Sequence, residues 1–220
     1  MRIGMIGAGH IGGTLTRRFA AVGHDVFVAN SRGPETLAEL TAATGARAVT
    51  VEEAVHCGDI VVVTIPEGNI PQLPPELFED VSRSVAVIDT GNYYPRQRDG
   101  RIDEIEKGMP ESCWVEMKLG RPVIKAFNNM VAQHLLKRGK PAGSPDRNAL
   151  PIAGDDAATK ALVMRLIDQI GFDPVDAGDL DESWRQQPGT PVYLTDFDAQ
   201  GVRAALSEAS KERAPEWSAS

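Results

Sequence analysis

Runs of apolar residues alternate along this chain with amphipathic segments of helical period. The runs at 59–65, 84–90 and 122–127 contain almost no polar alternation, which is typical of parallel strands covered on both faces. The segments 34–44 and 157–170 instead repeat their apolar positions as helices do. Because strands alternate with helices, we predict an α/β fold with a doubly wound, mostly parallel sheet of the Rossmann type.

The chain divides into two predicted units. A polar, turn-rich stretch follows residue 138, and after it come a predicted strand at 149–154, the helix at 157–170 and a strand at 174–178. We therefore expect a Rossmann domain over residues 1–138 and a small C-terminal α/β extension over residues 139–220. The tail from Lys211 is polar, and we expect it to fray.

The first βα turn carries a glycine fingerprint. An apolar strand runs from Arg2 to Ile6 and leads directly into Gly7, Gly9 and Gly12, after which an amphipathic helix continues to Val22. In this motif the first glycine permits the tight turn, the second allows close backbone approach to a pyrophosphate, and the third lets the helix pack on the sheet. The helix N-terminus favours an anion. The segment is predicted to bind a dinucleotide.

The end of the second predicted strand indicates which dinucleotide. Enzymes that use NAD place an acidic residue there for the ribose 2′-hydroxyl, whereas this chain has Asn30, Ser31 and Arg32. A serine hydroxyl and a guanidinium suit phosphate oxygens, so we expect NADP(H). The alternative is that Arg32 is a solvated charge beside the turn at Gly33 and Pro34.

Composition and charge exclude several classes of protein. The net charge of −8, with no cluster of basic residues, argues against nucleic-acid binding. No run of eighteen apolar residues is present, so we expect no membrane span. Because Met1 and Arg2 run straight into the first strand, we expect no signal peptide and a cytoplasmic location. Cys57 and Cys113 are far apart, which argues against a disulfide scaffold or a metal site.

Several segments in their order and spacing resemble one family. These are the glycine fingerprint, Asn30–Arg32, and the segments 89–92, 123–129, 152–156 and 171–178. Together they resemble the NADPH-dependent deazaflavin (coenzyme F420) reductases and their bacterial relatives, over residues 1–192. The resemblance implies a Rossmann domain with a small extension, a homodimer, and hydride exchange between NADP(H) and a second ring system. It also implies that Ala126–Met130 runs past the nicotinamide.

The strand ends and the family resemblance together predict the residues of the site. In such sheets ligands lie beyond the carboxyl ends of the strands. The predicted cofactor-binding residues are Gly7, Ala8, Gly9, His10, Ile11, Gly12, Asn30, Ser31, Arg32, Ile65, Pro66, Asn92, Ala126 and Asn128, and the predicted substrate-binding residues are Asn129 and Met130.

The sequence does not specify which molecule accepts the hydride. Two segments depart from the archaeal deazaflavin reductases. The chain has His10 and Ile11 after Gly9, and its segment Lys125–Asn129 is similar to the version in bacterial homologues. The hydride acceptor is therefore a deazaflavin, a flavin, a quinone or another small molecule. Hydride transfer between stacked rings depends on positioning, and we expect no catalytic triad. His134, one turn after Met130, is the histidine placed to approach a second substrate.

Three further features of the sequence each have more than one interpretation. Lys125 contacts substrate or diphosphate, or it pairs with Asp89 or Glu116. The segment Trp184–Tyr193 is an ordered arm over a pocket or partner, or a surface loop with one core tryptophan. Instead of a reductase of a planar coenzyme, the chain could be an NADP-dependent dehydrogenase or reductase of another small substrate, or an NADPH-binding redox sensor without turnover.

Overall fold

A computed structural model describes residues 1–219. Six parallel strands form the main sheet in the order β3-β2-β1-β4-β5-β6. Their bounds are β1 Arg2–Ile6, β2 Asp25–Ala29, β3 Arg47–Ala48, β4 Ile60–Val63, β5 Ala86–Asp89 and β6 Ile124–Lys125. This order reverses between β1 and β4, so the carboxyl ends of these two strands flank a crevice. The predicted doubly wound α/β fold is confirmed.

Helices cover both faces of this sheet and build the C-terminal part. Their bounds are α1 His10–Ala21, α2 Ala38–Thr44, α3 Val51–Cys57, α4 Asp103–Glu106, α5 Glu111–Leu119, α6 Ala132–Lys137, α7 Ala157–Gln169 and α8 Ala199–Ser207. Short 3₁₀ segments lie at Pro34–Leu37, Glu67–Gln72, Leu180–Gln186 and Pro215–Trp217, and one π-helical turn at Pro95–Asp99. The predicted helix at 34–44 therefore begins as a 3₁₀ turn, where Pro34 supplies the fixed φ but no amide donor.

The core lies in two layers, one on each face of the sheet. Ile60 and Val62 of β4 belong to the first layer, with Phe19 of α1, and Val61 and Val63 belong to the second. Successive side chains of a strand point to opposite faces, so an uninterrupted apolar run buries both. The apolar patterning of β4 and β5 is explained by this arrangement.

A second, two-stranded parallel sheet lies beside the first. It pairs β7 (Ala149–Ile152) with β8 (Asp173–Asp176). An antiparallel bridge between Lys125 and Ala153 joins it to β6, with N–H···O distances of 2.8 and 3.1 Å. Through that bridge, the C-terminal part reaches the same strand end on which the predicted site lies.

The end of the chain is held against the body, and the expectation that it frays is wrong up to Ala219. An Arg213 nitrogen lies 2.8 Å from the buried Glu111 carboxylate. The Trp217 ring packs on Tyr94 and Tyr193, with centroids 6.0 and 5.8 Å apart. One cation and one large aromatic ring anchor this otherwise polar tail. Ser220 lies outside the described residues.

Two kinds of feature are absent from residues 1–219. In that range no helix has the length and apolar character needed to cross a membrane. Nor does any group of three or more His, Cys, Asp or Glu side chains in it have the arrangement of a metal site.

Candidate functional site

The turn between β1 and α1 has the shape that its glycines predict. Gly7 has a φ of 111°, and a Cβ there would overlap the carbonyl of Thr64. A Cβ on Gly12 would overlap the carbonyl of Gly7, so the helix packs against the turn at the closest possible approach. Above Gly9 a Cβ would meet nothing within 4 Å. The space over Gly9 is therefore open to a ligand, whereas the other two positions are closed by the fold.

The N-terminus of α1 faces this open space. Gly9 is its N-cap residue and offers no side-chain hydrogen bond to the first turn. The amide groups of that turn and the positive end of a 12-residue helix are thus directed at whatever occupies the space. A diphosphate fits this donor set.

A cavity of about 450 Å³ extends from the turn across the carboxyl ends of β1, β2 and β4. Eight predicted cofactor residues line it: Gly7, Ala8, Gly9, Asn30, Ser31, Arg32, Ile65 and Pro66. The structure therefore brings together residues from three separate loops that the sequence had singled out for the same ligand.

The loop after β2 presents a free cation. The side chain of Asn30 is occupied in shaping the turn, since its Oδ1 accepts from the Arg32 backbone N–H at 2.9 Å and its Nδ2 donates to Thr36 Oγ1 at 2.9 Å. Ser31 and Arg32 are exposed. Within residues 1–219 no carboxylate or carbonyl accepts from the Arg32 guanidinium, which leaves its donors available for a phosphate.

A second cavity of about 460 Å³ adjoins the first across Gly9. Arg32 lines both cavities, and His10 and Arg17 of α1 line the second. Arg17 has a buried Nη1 with no hydrogen-bond partner. Sequence reasoning missed Arg17, although its position seven residues after His10 places both on one helix face. Two cations thus face the region where a 2′-phosphate is expected.

A buried ion pair lies where β5 and β6 end. Lys125 Nζ is 3.1 Å from Asp89 Oδ2 and also donates to the Gly91 carbonyl at 2.6 Å. Of the alternatives for Lys125, the structure selects pairing with Asp89, because Glu116 accepts instead from the Val123 N–H. Burial alone would lower the pKa of Lys125, but the neighbouring carboxylates outweigh it and raise that pKa.

Two fully buried glutamates surround this pair, and sequence reasoning missed their burial. Glu111 accepts from the Tyr93 N–H at 3.1 Å and from Arg213, while both carboxyl oxygens of Glu67 lack any partner within residues 1–219. Burial raises the pKa of both carboxyls, and the charge of Asp89 raises that of Glu67 further. Glutamate is rarely enclosed in this way, so no pattern in the sequence indicated it.

An amide network connects the strand ends to the C-terminal part. Asn92 and Asn128 exchange two hydrogen bonds of 3.0 Å. Asn128 is also bonded to Gln186, whose Nε2 donates to Asn128 Oδ1 at 3.0 Å. The chain turns into this network at Phe127, which has a φ of 65°, a strained value for a residue with a side chain. Backbone strain of this kind collects at functional sites.

The remaining predicted residues are buried, apart from Ile11, which is partly buried. Asn129 is fully buried, and neither its Oδ1 nor its Nδ2 has a partner within the described chain. Met130 and Ala126 are packed in the core. Ile11 lies on α1 and packs against the core. The predicted residues therefore fall into an open group around Gly9 and an enclosed group behind Asn92.

His134 and the Trp184 segment take up other positions. His134 Nδ1 lies 2.8 Å from Asp196 Oδ1, so this histidine ties α6 to the loop before α8. Trp184 carries Arg185 and Lys211 over its ring, at 4.3 and 5.3 Å from the centroid. It lines a polar cavity of about 880 Å³ that also involves 105–110 and 208–214. The segment is thus an ordered arm beside a cavity.

The N-terminal part of the chain, which carries the glycine turn, matches the model of a known family. Residues 2–93 fit the model of the family described as NADP oxidoreductase, coenzyme F420-dependent. The resemblance is confirmed over these residues. The matched stretch contains β1 to β5, the glycine turn and the Arg32 loop, so the F420-dependent NADP oxidoreductase family supports NADP(H) as the cofactor of this site.

Three similar proteins extend the comparison. The Escherichia coli K12 protein YjhV is 45% identical over 91 residues, 41% of this chain and 59% of YjhV, so this chain spans less than two thirds of that relative. The crystal structure of the hypothetical protein SMa0349 from Sinorhizobium meliloti has a TM-score of 0.75 and 29% identity, over 90% of this chain and 94% of that one. A "putative F420 dependent NADP-reductase" from Arthrobacter sp. FB24 has a TM-score of 0.64 and 20% identity, over 82% and 86%.

Proposed function

We propose that this protein is an NADP(H)-dependent oxidoreductase that transfers a hydride between NADPH and a planar redox coenzyme, a deazaflavin or a flavin-like acceptor. The observation that carries the proposal is the cavity over Gly9, in which an open helix N-terminus and the free Arg32 guanidinium face one ligand. The family match over residues 2–93 supports the same assignment.

In this proposal the chain's residues divide the cofactor between them. The first turn of α1 holds the pyrophosphate with its amide groups, and Gly9 allows the approach. Ser31 and Arg32, with Arg17 behind them, bind the 2′-phosphate. Ile65, Pro66 and Asn92 flank the nicotinamide, which supplies the hydride when reduced cofactor is bound.

The acceptor side rests on Asn129 and its neighbours. Its buried amide has an unpartnered donor and an unpartnered acceptor, and Ser183 Oγ and Gln186 Oε1 are also buried without partners. Buried polar atoms left unpaired within the protein call for a ligand or water. Flavins and deazaflavins carry an edge with both carbonyl oxygens and a ring N–H, which matches an amide, whereas a quinone offers acceptors alone.

Catalysis in this account comes from positioning. Hydride transfer between two stacked rings needs alignment and exclusion of water, and well-oriented reactions gain about 7–11 kcal/mol from proximity. The Asn92–Asn128–Gln186 network fixes the loop beside the rings. The C-terminal extension, residues 139–220, completes the site through Gln186, and we propose that it also forms the interface of a homodimer.

The test is NADPH oxidation by the purified protein, followed by absorbance, with deazaflavin coenzyme, FMN, FAD, riboflavin and several quinones. The proposal expects turnover with a deazaflavin or flavin and slower turnover with NADH. Turnover only with quinones or with a small carbonyl or imine substrate would overturn the choice of acceptor. Tight NADPH binding without turnover on any acceptor would favour a redox sensor.

A further inference from the structure

Glu67 is the one carboxyl at the strand ends that lacks a partner within residues 1–219. It follows Pro66, which lines the candidate cofactor cavity. Its side chain is fully enclosed, and neither oxygen accepts a hydrogen bond. A Cβ added to Gly91 would overlap the Glu67 carboxyl, so this group packs directly on the residue before Asn92. Glu67 thus lies between two segments that are proposed to flank the nicotinamide.

The other charged groups that face Glu67 are balanced in pairs. They come from each element packed around it: Asp89 of β5, Lys125 of β6, Glu111 of α5 and Asp99 of the π-helical turn. Asp89 is paired with Lys125, Glu111 with Arg213, and Asp99 with Arg98. Three carboxylates thus have three cations, and a fourth negative charge would have none.

This pairing of charges determines the protonation state of Glu67 in the protein without cofactor. An ionised carboxylate without a cation or a hydrogen bond is costly to bury, so the group takes up a proton instead. Burial and the charge of Asp89 together raise the pKa of Glu67 well above its usual range. Glu67 is therefore a neutral acid whose ionisation needs a new positive charge nearby.

Oxidation of the nicotinamide provides such a charge, because the ring becomes cationic when it loses a hydride. An opposite charge within about 4–6 Å favours the ionised form of a carboxyl. We propose that Glu67 holds a proton while NADPH is bound and releases it when the ring is oxidised, so that its carboxylate balances the cationic ring. The inference rests on the proposed function and adds a charge-compensating residue to it.

The step is balanced in atoms and electrons. During turnover the O–H bond of Glu67 breaks, the electron pair stays on the carboxylate, and the proton passes to the reduced acceptor, which has gained a hydride and needs one proton. When NADP⁺ binds to the free protein, the same proton passes to the buffer instead. NADPH binding involves no such release.

Isothermal titration calorimetry in buffers of different ionisation enthalpy measures these protons directly. For the wild-type protein we expect about one proton released per NADP⁺ bound and none per NADPH, so that NADP⁺ binds about tenfold more tightly for each unit of pH increase. Glu67→Gln should abolish the release and keep the NADPH affinity. Glu76→Gln, at an exposed glutamate, is the matched control and should behave as wild type.

A second measurement does not depend on a variant. The infrared difference spectrum of the wild-type NADP⁺ complex against its NADPH complex should show the loss of a protonated carboxyl band. Equal proton release for both cofactors, or release that persists in a folded Glu67→Gln protein, would overturn the inference and leave the proposed function standing. Failure of the wild type to bind NADPH at all would overturn both.

Discussion

Lys125 and Asp89 form a fully enclosed ion pair at 3.1 Å, on neighbouring strands and at the edge of the sheet where the ligand is proposed to bind. Lys125 also holds the Gly91 carbonyl, one residue before Asn92. Breaking a buried pair from one side leaves an uncompensated charge. The pair therefore links the stability of the fold to the geometry of the site.

Replacing both partners of this pair should cost less stability than the two single replacements added together. We expect Lys125→Met to lower the free energy of unfolding by about 3–5 kcal/mol, because Asp89 is left buried and unpaired. The double variant with Asp89→Asn should lose less than the sum of the two single variants. Urea denaturation of the four proteins measures this. Lys118→Met, which breaks a partly exposed pair with Glu104, should cost at most about 1 kcal/mol.

The contribution of Glu67 to stability should fall as the pH rises from acid, opposite in sign to the contribution of a paired carboxylate. The pKa of Glu67 is higher in the folded state than in the unfolded chain, where it is near its usual value of about 4.3. Between these two pKa values the folded state binds one proton more than the unfolded chain. The stabilisation by this proton is therefore complete below the pKa of the unfolded chain and is lost as the pH rises through the pKa of the folded state. Glu67→Gln should remove this contribution, so that the stability of the variant falls less, or rises more, with pH than that of the wild type, measured by denaturation at each pH. An unchanged slope would contradict the assignment.

Arg32 should decide between the two cofactors. Arg32→Ala removes a guanidinium that no group in residues 1–219 engages, so the fold should be unaffected. NADPH binding should weaken by about 1.5–3 kcal/mol, the value of a charged hydrogen bond, while NADH binding should change little. Fluorescence titration with both cofactors measures the difference, with Arg203→Ala on α8 as the control. Equal losses for the two would rule out a 2′-phosphate contact.

Alanine substitutions at Gly9 and Gly12 should separate an effect on cofactor binding from an effect on the stability of the fold. A methyl group on Gly9 enters open space, so Gly9→Ala should keep the melting temperature and weaken NADPH binding by about tenfold, or 1.4 kcal/mol. A methyl group on Gly12 overlaps the Gly7 carbonyl, so Gly12→Ala should destabilise the fold by about 1–3 kcal/mol. Thermal melts and cofactor titrations on both variants test this. Unchanged NADPH affinity in Gly9→Ala would place the diphosphate elsewhere.

Local patterns were sufficient to predict the β1–α1–β2 unit and the central strands. The glycine turn needs specific backbone shapes, and β4 and β5 need apolar residues on both faces, so the sequence records both constraints. Helices α5 and α8 were not predicted. α5 begins at Glu111 and Ser112, two polar residues that the fold buries through contacts with distant Arg213 and Asp89.

The enclosed half of the site depends on such distant pairings. Glu67 is buried among residues of β5, β6, α5 and the turn at 95–99, and the tail is ordered because Arg213 reaches a glutamate 102 positions away. A single sequence does not reveal contacts of this range. Asn128 was singled out because it follows a strand end, but its bond with Gln186 was visible only in the structure.

Label transfer tests the central claim of direct hydride exchange most directly. NADPH that carries deuterium at the transferred position of the nicotinamide is incubated with the protein and a deazaflavin, whose accepting atom is a carbon that retains the label. After the exchangeable protons of the reduced deazaflavin have been returned to light water, mass spectrometry should show one deuterium per molecule, whether the reaction was run in light or heavy water. Reduced product without the label, or no reduced product while NADPH is bound, would contradict the account.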